Sequence, residues 1–173
     1  MKRALPILGS VVFLIIAPGT LAGLGPWWIG GWHFKPPLLG LMFVPAIGAL
    51  LIAAGLPILL DSFARFAIQG LGTPAPIYPP QKLIVTGLYR YVRNPMYVAV
   101  LSLIIGQGLL FGAAGILEYG LIVWVGFTLF VLGYEEPTLR ARYGPEYETY
   151  CKNVPRWIPR LRPWAENAPS ART

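Results

Sequence analysis

Four apolar runs, at about residues 5–24, 38–60, 95–112 and 116–134, limit what this chain can fold into more than any other feature. Each is close to the roughly 20 residues that an α-helix needs to cross the hydrocarbon core of a bilayer. They predict an all-α integral membrane protein with about four transmembrane helices. Composition agrees: 55% of the residues are hydrophobic and only 12% charged, against about 25% charged in ordinary soluble domains. With 173 residues, the chain has room for one membrane domain, residues 1–164, and none for a separate soluble catalytic domain.

The net charge of +7 raises the question of nucleic acid, but the placement of the charge argues against it. Thirteen of the fourteen Lys and Arg residues lie before the first run, between the second and third, or after the fourth; only Lys35 lies on the other side. That asymmetry predicts both termini and the central loop on the cytoplasmic face. The short C-terminus and the two-residue basic N-terminus point to a prokaryotic inner membrane. One cysteine, Cys151, excludes an intramolecular disulfide and a cysteine metal cluster; one histidine, His33, excludes a histidine-rich metal site, so no metal is expected. Lys2 and Arg3 resemble the start of a signal peptide. The first run is too long for one and three more follow, so it reads as a retained helix.

In chain order, Pro18 lies inside the first run and Gly19-x-x-x-Gly23 offers a flat face for close helix packing. Residues 25–37 read as a short connection, with Trp27, Trp28 and Trp32 at headgroup level and His33 interfacial. Pro45 and Pro57 are expected to bend the second run. Residues 61–69 (DSFARFAIQ) read as a separate short helix lying at the interface, and residues 71–80, with four prolines, as an irregular loop. Pro95 suits the first turn of the third helix. Gln107 is its one strongly polar side chain, Gly108-x-x-x-Gly112 again permits close approach, and residues 113–115 form a tight turn to the fourth helix. Pro137 closes or bends that helix. Leu139, Tyr143, Tyr147, Cys151 and Val154 recur at helical spacing, and Gly144-Pro145 splits the tail into two short amphipathic helices. Cys151 is a packing residue there. Residues 154–164 (VPRWIPRLRPW), with proline at every fourth position, are expected to be an extended basic-aromatic strap along the headgroups, and residues 165–173 disordered.

Two polar clusters stand out. Residues 83–97 read LIVTGLYRYVRNPMY, and Glu135 and Glu136 follow the fourth run. The charge asymmetry puts both clusters on one face. Two adjacent glutamates at the C-terminal end of a membrane helix are disfavoured by the helix dipole and by each other, so they are paired or functional. Arg90 and Arg93 are the nearest partners, which predicts at least an ion-pair clasp. A carboxylate can also hold an ammonium group, and an arginine can grip a carboxylate through two parallel bonds. The faces of Tyr89, Tyr91, Tyr97 and Tyr134 can sit against a sulfonium or stack on a purine. S-adenosylmethionine carries all of these groups, and a lipid headgroup would be served by much the same residues.

The string VTGLYRYVRNPMY (85–97) resembles the V-T-x-G-P-Y-x-x-x-R-H-P-x-Y signature of isoprenylcysteine carboxyl methyltransferases and related phospholipid methyltransferases. The string EEPTLRARYGPEYETYCKNVPRWIP (135–159) is similar to the same family's E-E-x-x-L-x-x-x-F-G-x-x-Y-x-x-Y-x-x-x-V-P segment. The likeness spans residues 80–162 and includes the order of the strings and the helical hairpin between them. It implies an integral-membrane, S-adenosylmethionine-dependent methyltransferase with a lipophilic acceptor: an isoprenylcysteine-type carboxylate, a phospholipid amine, or a small thiol or isoprenoid. By position, Val85, Thr86, Gly87, Tyr89, Arg93, Asn94 and Tyr97 would line the cofactor pocket, and Glu135 or Glu136 would hold the amino group of its methionine moiety. Arg93, Asn94 and Glu136 would carry the catalytic roles. Asn94 stands where the family usually has histidine and cannot titrate near neutral pH. That departure supports the alternative of a non-catalytic member binding a lipid headgroup or a partner protein. The expected partners are the bilayer and a lipophilic or lipidated substrate, not nucleic acid. The oligomeric state is open, since either Gly-x-x-x-Gly face could pack within or between chains.

Overall fold

The computed structural model describes residues 4–68 and 83–165, which are helical or irregular, with no strand among them. Helices α1 (Ala4–Pro18), α2 (Gly25–Gly30), α3 (Val44–Ile68), α4 (Pro95–Leu110), α5 (Ala114–Phe130), α6 (Glu136–Tyr143) and α7 (Pro145–Asn153) follow in order. A π-helical turn, Gly19–Leu24, joins α1 to α2, and another, Val131–Glu135, joins α5 to α6. Three continuous helices are long and apolar enough to cross a membrane: Leu8–Gly30, Val44–Arg65 and Ala114–Tyr143; Pro95–Leu110 is a shorter apolar helix. This is an all-α membrane protein.

The boundaries of the first, second and fourth spans differ from the sequence expectation. The first span does not stop at residue 24; it continues through Trp27 and Trp28 until Gly31, at φ +58°, ends it. The second begins at Val44, after a 3-10 turn at Leu38–Gly40, and does not stop at residue 60. Nothing between Leu60 and Ile68 breaks a helix, and Arg65 pairs with Asp61 one turn back at 2.7 Å. The segment expected as a separate interfacial helix is therefore the last two turns of α3. Pro45 lies in its first turn, where proline costs nothing. The fourth span likewise runs on through Pro137 to Tyr143, although the split of the tail at Gly144 is as expected.

One device explains two of these continuations. A proline inside a helix crowds the carbonyl four residues earlier and supplies no N–H to it. Each π turn ends two residues before a proline, Leu24 before Pro26 and Glu135 before Pro137. The wider turn makes room for the ring and the chain stays helical. In the first span the freed carbonyls have side-chain partners. Gln107 Nε2 donates to Ala22 O at 2.7 Å and Tyr119 OH to Leu21 O at 3.1 Å, while Trp32 Nε1 donates to Gln107 Oε1 at 2.9 Å.

The core lies between α3 and α4 and against α5, around Ala99, Val100, Ile104 and Ile116. Helices α3 and α4 run antiparallel and cross most closely at Gly48 and Gly106: a Cβ on Gly48 would lie 2.5 Å from Gly106 O. Of the glycines singled out from the sequence, Gly108 meets Leu117, whereas Gly23 has nothing within 4 Å and Gly19 meets only Leu14 O of its own helix. The turn after α4 is tight, as expected, so α4 and α5 form an antiparallel hairpin. This path brings the C-terminal end of α3, the start of α4 and the end of α5 to one end of the bundle. The loop at 71–80 and the tail beyond Ala165 lie outside the described residues.

Candidate functional site

The site is built where those three helix ends meet. Residues 83–94 enter it as an irregular segment with one 3-10 turn, Gly87–Arg90. Gly87 has φ +55°, a left-handed backbone that strains any residue with a Cβ, and the Arg65 guanidinium packs against it. Arg65, held by both oxygens of Asp61, reaches across to Thr86 Oγ1 at 3.2 Å. The phenol of Tyr89 is buried and hydrogen-bonded with Ser62 of α3; desolvation, reinforced by Tyr150, holds it protonated well above the usual tyrosine range. The sequence reading places Asp61, Ser62 and Arg65 in an interfacial helix and not among the site residues. Their signal is the polar run that closes an otherwise apolar helix.

The two polar clusters do meet, and the clasp is real. Glu136 is 3% exposed, and its carboxylate accepts from Arg93 Nη1 at 3.0 Å and from Arg156 Nε at 2.6 Å and Nη2 at 3.1 Å. Arg140 Nη2 adds a longer contact of 3.4 Å, while its Nε turns to Glu148 at 2.8 Å. Arg90, the other expected partner, goes elsewhere: its Nε donates to Trp164 O at 2.6 Å. Arg156 is the partner that the sequence reading missed. It lies twenty residues beyond Glu136, on a segment whose path only folding determines.

That segment is irregular, with bends at 156–158 and 161–162 rather than a continuous extended run, and it is tied down. Arg93 N donates to Pro155 O at 2.9 Å, Arg160 N to Tyr91 O at 3.0 Å and Trp164 N to Arg90 O at 2.9 Å. Buried Asn94 fixes it too, its Nδ2 donating to Arg156 O at 3.2 Å. Tyr150 OH donates to Tyr89 O at 2.7 Å, and Val85 packs against the cluster of Tyr147, Tyr150 and Val154. Cys151 borders this cluster, as a packing residue should, and its sulfur also receives Arg93 Nη1 at 2.9 Å.

Glu135 has a different environment from its neighbour. Its one hydrogen-bond partner among the described residues is Tyr97 OH, at 2.9 Å, and no cation pairs with it there. The Tyr97 ring lies between Phe127, 4.6 Å away, and Trp157, 6.4 Å away and edge-on. A carboxylate without a counter-ion among the described residues, bonded to a phenol that packs against other aromatic rings, is suited to an ammonium or a sulfonium. Glu136, by contrast, spends its lone pairs on three arginines.

A family model described as phospholipid methyltransferase matches residues 43–146, which includes α3, the 83–97 segment and both glutamates. The chain belongs to this family. Among its relatives is the protein-S-isoprenylcysteine O-methyltransferase of Schizosaccharomyces pombe, 36% identical over 78 residues, which are 44% of this chain and 33% of the relative. A probable protein-S-isoprenylcysteine O-methyltransferase of Oryza sativa subsp. indica is 35% identical over 79 residues, 45% of this chain and 41% of the relative. The methanethiol S-methyltransferase of Crocosphaera subtropica is 34% identical over 86 residues, 47% of this chain and 31% of the relative. The matches thus span about a third to two fifths of these relatives. No solved structure is a significant match. The family resemblance carried by the two motif strings is borne out.

Proposed function

We propose that this protein is an S-adenosylmethionine-dependent methyltransferase acting at the membrane on a lipophilic acceptor. Membership of the phospholipid methyltransferase family supports methyl transfer, and the relatives support an acceptor of the isoprenylcysteine or small-thiol kind. The observation that carries the cofactor assignment is Glu135, a carboxylate with no cationic partner among the described residues, bonded to Tyr97, whose ring packs with Phe127 and Trp157. Bound S-adenosylmethionine would supply an electrophilic methyl group on a sulfonium. Glu135 takes the ammonium of its methionine moiety, the three rings line the positive end, and the tight turn at Gly87 lets backbone approach the ligand. Thr86, Tyr89, Arg93, Asn94 and Tyr97 complete the pocket wall. Glu136 acts by holding Arg93 and Arg156 in place rather than by touching ligand. Methyl transfer is an in-line displacement whose nucleophile belongs to the acceptor, so the chain has to align two partners and exclude water. The strap at residues 154–164, closed over the start of α4, serves that exclusion. Both termini and the site face the cytoplasm in this reading.

The test is isothermal titration of S-adenosylmethionine and S-adenosylhomocysteine into protein held in lipid nanodiscs, followed by a screen of thiol, prenylcysteine and phospholipid acceptors. Saturable binding that is lost in Glu135→Gln supports the assignment; folded protein that binds neither compound refutes it. One observation favours the non-catalytic alternative. Asn94 is buried and committed to Arg156 O, which leaves the family's usual histidine position structural here. Methyl transfer that appears only in Asn94→His would decide for that alternative.

A further inference from the structure

Residues 152–164 carry four cations, Lys152, Arg156, Arg160 and Arg162, and no acid. Among the described residues, only Arg156 of these four pairs with an acid, Glu136. Beside the remaining arginines, Arg160 and Arg162, stand two strongly exposed apolar side chains, Ile158 at 79% and Leu161 at 100%. Isolated exposed apolar residues need no explanation. These are different because the backbone that presents them is fixed at both ends, by Arg93 N to Pro155 O and by Trp164 N to Arg90 O. Arg160 Nη1 further bonds Asn153 O at 2.7 Å, while Arg162 has no protein partner among the described residues. The strap therefore holds apolar and cationic groups outward in a set arrangement.

Its level relative to the bilayer follows from its anchor. The lateral face of the fourth span is apolar and exposed at Phe130, Leu132 and Tyr134, just before Glu135. Arg156 bonds Glu136, so the strap begins where the lipid-facing surface ends. Cations at that level face the phosphate zone, and apolar side chains beside them can reach the acyl boundary.

We propose that residues 157–162 form a binding site for an anionic phospholipid of the surrounding bilayer, with Arg160 and Arg162 on the headgroup phosphate and Ile158 and Leu161 in the acyl boundary. This is independent of the proposed methyl transfer, since it uses none of the groups assigned to the cofactor except Trp157, which borders both.

The experiment uses the full chain in nanodiscs of phosphatidylcholine alone and of phosphatidylcholine with phosphatidylglycerol. Retained lipid is measured by native mass spectrometry, and amide exchange over residues 157–162 is followed in both. Phosphatidylglycerol should be retained in preference to phosphatidylcholine and should slow exchange across the strap. The double variant R160Q/R162Q should hold phosphatidylglycerol about thirtyfold more weakly, as expected for two basic residues at an anionic surface. Equal retention of the two lipids by the unmodified protein overturns the proposal, as does unchanged retention in a folded double variant. If the variant does not fold, the two-lipid comparison on the unmodified chain decides alone. An exchange slowdown produced by an added acidic peptide with no preference between lipids also overturns it. Affinity for S-adenosylhomocysteine, read in the same discs, bears on the cofactor assignment and not on this one.

Discussion

Glu135 and Glu136 are adjacent in sequence and opposite in circumstance. One is gripped by Arg93 and Arg156 and is 3% exposed; the other has the Tyr97 phenol as its hydrogen-bond partner among the described residues. Removing the charge from a buried ion pair leaves its partners uncompensated, which costs about 3–5 kcal/mol. Glu136→Gln should therefore lower the melting temperature in detergent sharply. Glu135→Gln should leave melting nearly unchanged while weakening S-adenosylhomocysteine binding at least tenfold, which titration calorimetry will read. The reverse pattern would mean that the two roles are exchanged. Gln107 makes a similar case without charge. It donates to Ala22 O and Leu103 O and accepts from Trp32. Gln107→Leu would leave the Ala22 carbonyl buried and unpaired, at a cost of about 1–3 kcal/mol, measurable as a fall in thermal stability. The sequence marked Gln107 as the odd polar residue in its helix but not what it was for, because its partners lie 85 and 75 residues away.

At the scale of elements, the π turn at Val131–Glu135 sets the direction of everything after it. One residue fewer would rotate the following helix by about 100°. Gly133 meets no neighbour within 4 Å, so its deletion removes no contact of its own. Deleting it should restore α-helical register, carry Glu136 away from Arg93 and Arg156, and abolish cofactor binding while the apolar spans remain inserted. Circular dichroism beside titration would show this: helix content kept, affinity lost. A deletion variant that binds normally would show that the turn is incidental. The cluster of α7 with the 83–89 segment has a pH signature. Burial raises the phenols of Tyr89, Tyr147 and Tyr150 above their ordinary value of 10.0. Below pH 10 both folded and unfolded chains keep these protons, so stability is unaffected there. Above it only the unfolded chain releases them, and stability falls by about 1.4 kcal/mol per pH unit for each tyrosine. Melting followed through this alkaline range, with tyrosinate absorbance as the second probe, should show unfolding and ionisation together rather than ionisation of the folded state.

For the molecule as a whole, the apolar runs and the distribution of Lys and Arg were sufficient to predict an all-α membrane protein with its polar segments gathered at one end. Solvent transfer decides that much, and it depends on composition along the chain rather than on contacts. The motif strings likewise carried the family, because the residues that compose them are contiguous. Helix ends were less legible. The sequence expectation ends the first span at residue 24 and has Pro137 close or bend the fourth, yet the chain passes Pro26 and Pro137 as helix, since a wide turn and a distant side chain can satisfy what proline removes. Glycine motifs were a mixed guide to packing: Gly108 meets Leu117 of α5 and Gly112 the backbone of Pro36, whereas a side chain at Gly19 or Gly23 would meet no other helix, and Gly48 and Gly106, outside both motifs, bring α3 and α4 together. Periodicity within one helix cannot say which face meets a partner. Tertiary structure alone decided which arginines hold Glu136, why Arg90 is not among them, and that the C-terminal strap closes over residues 90–94. Those pairings join segments separated by 20 to 74 residues, and the free energy that selects among several nearby arginines is geometric, set by where each backbone can place its guanidinium.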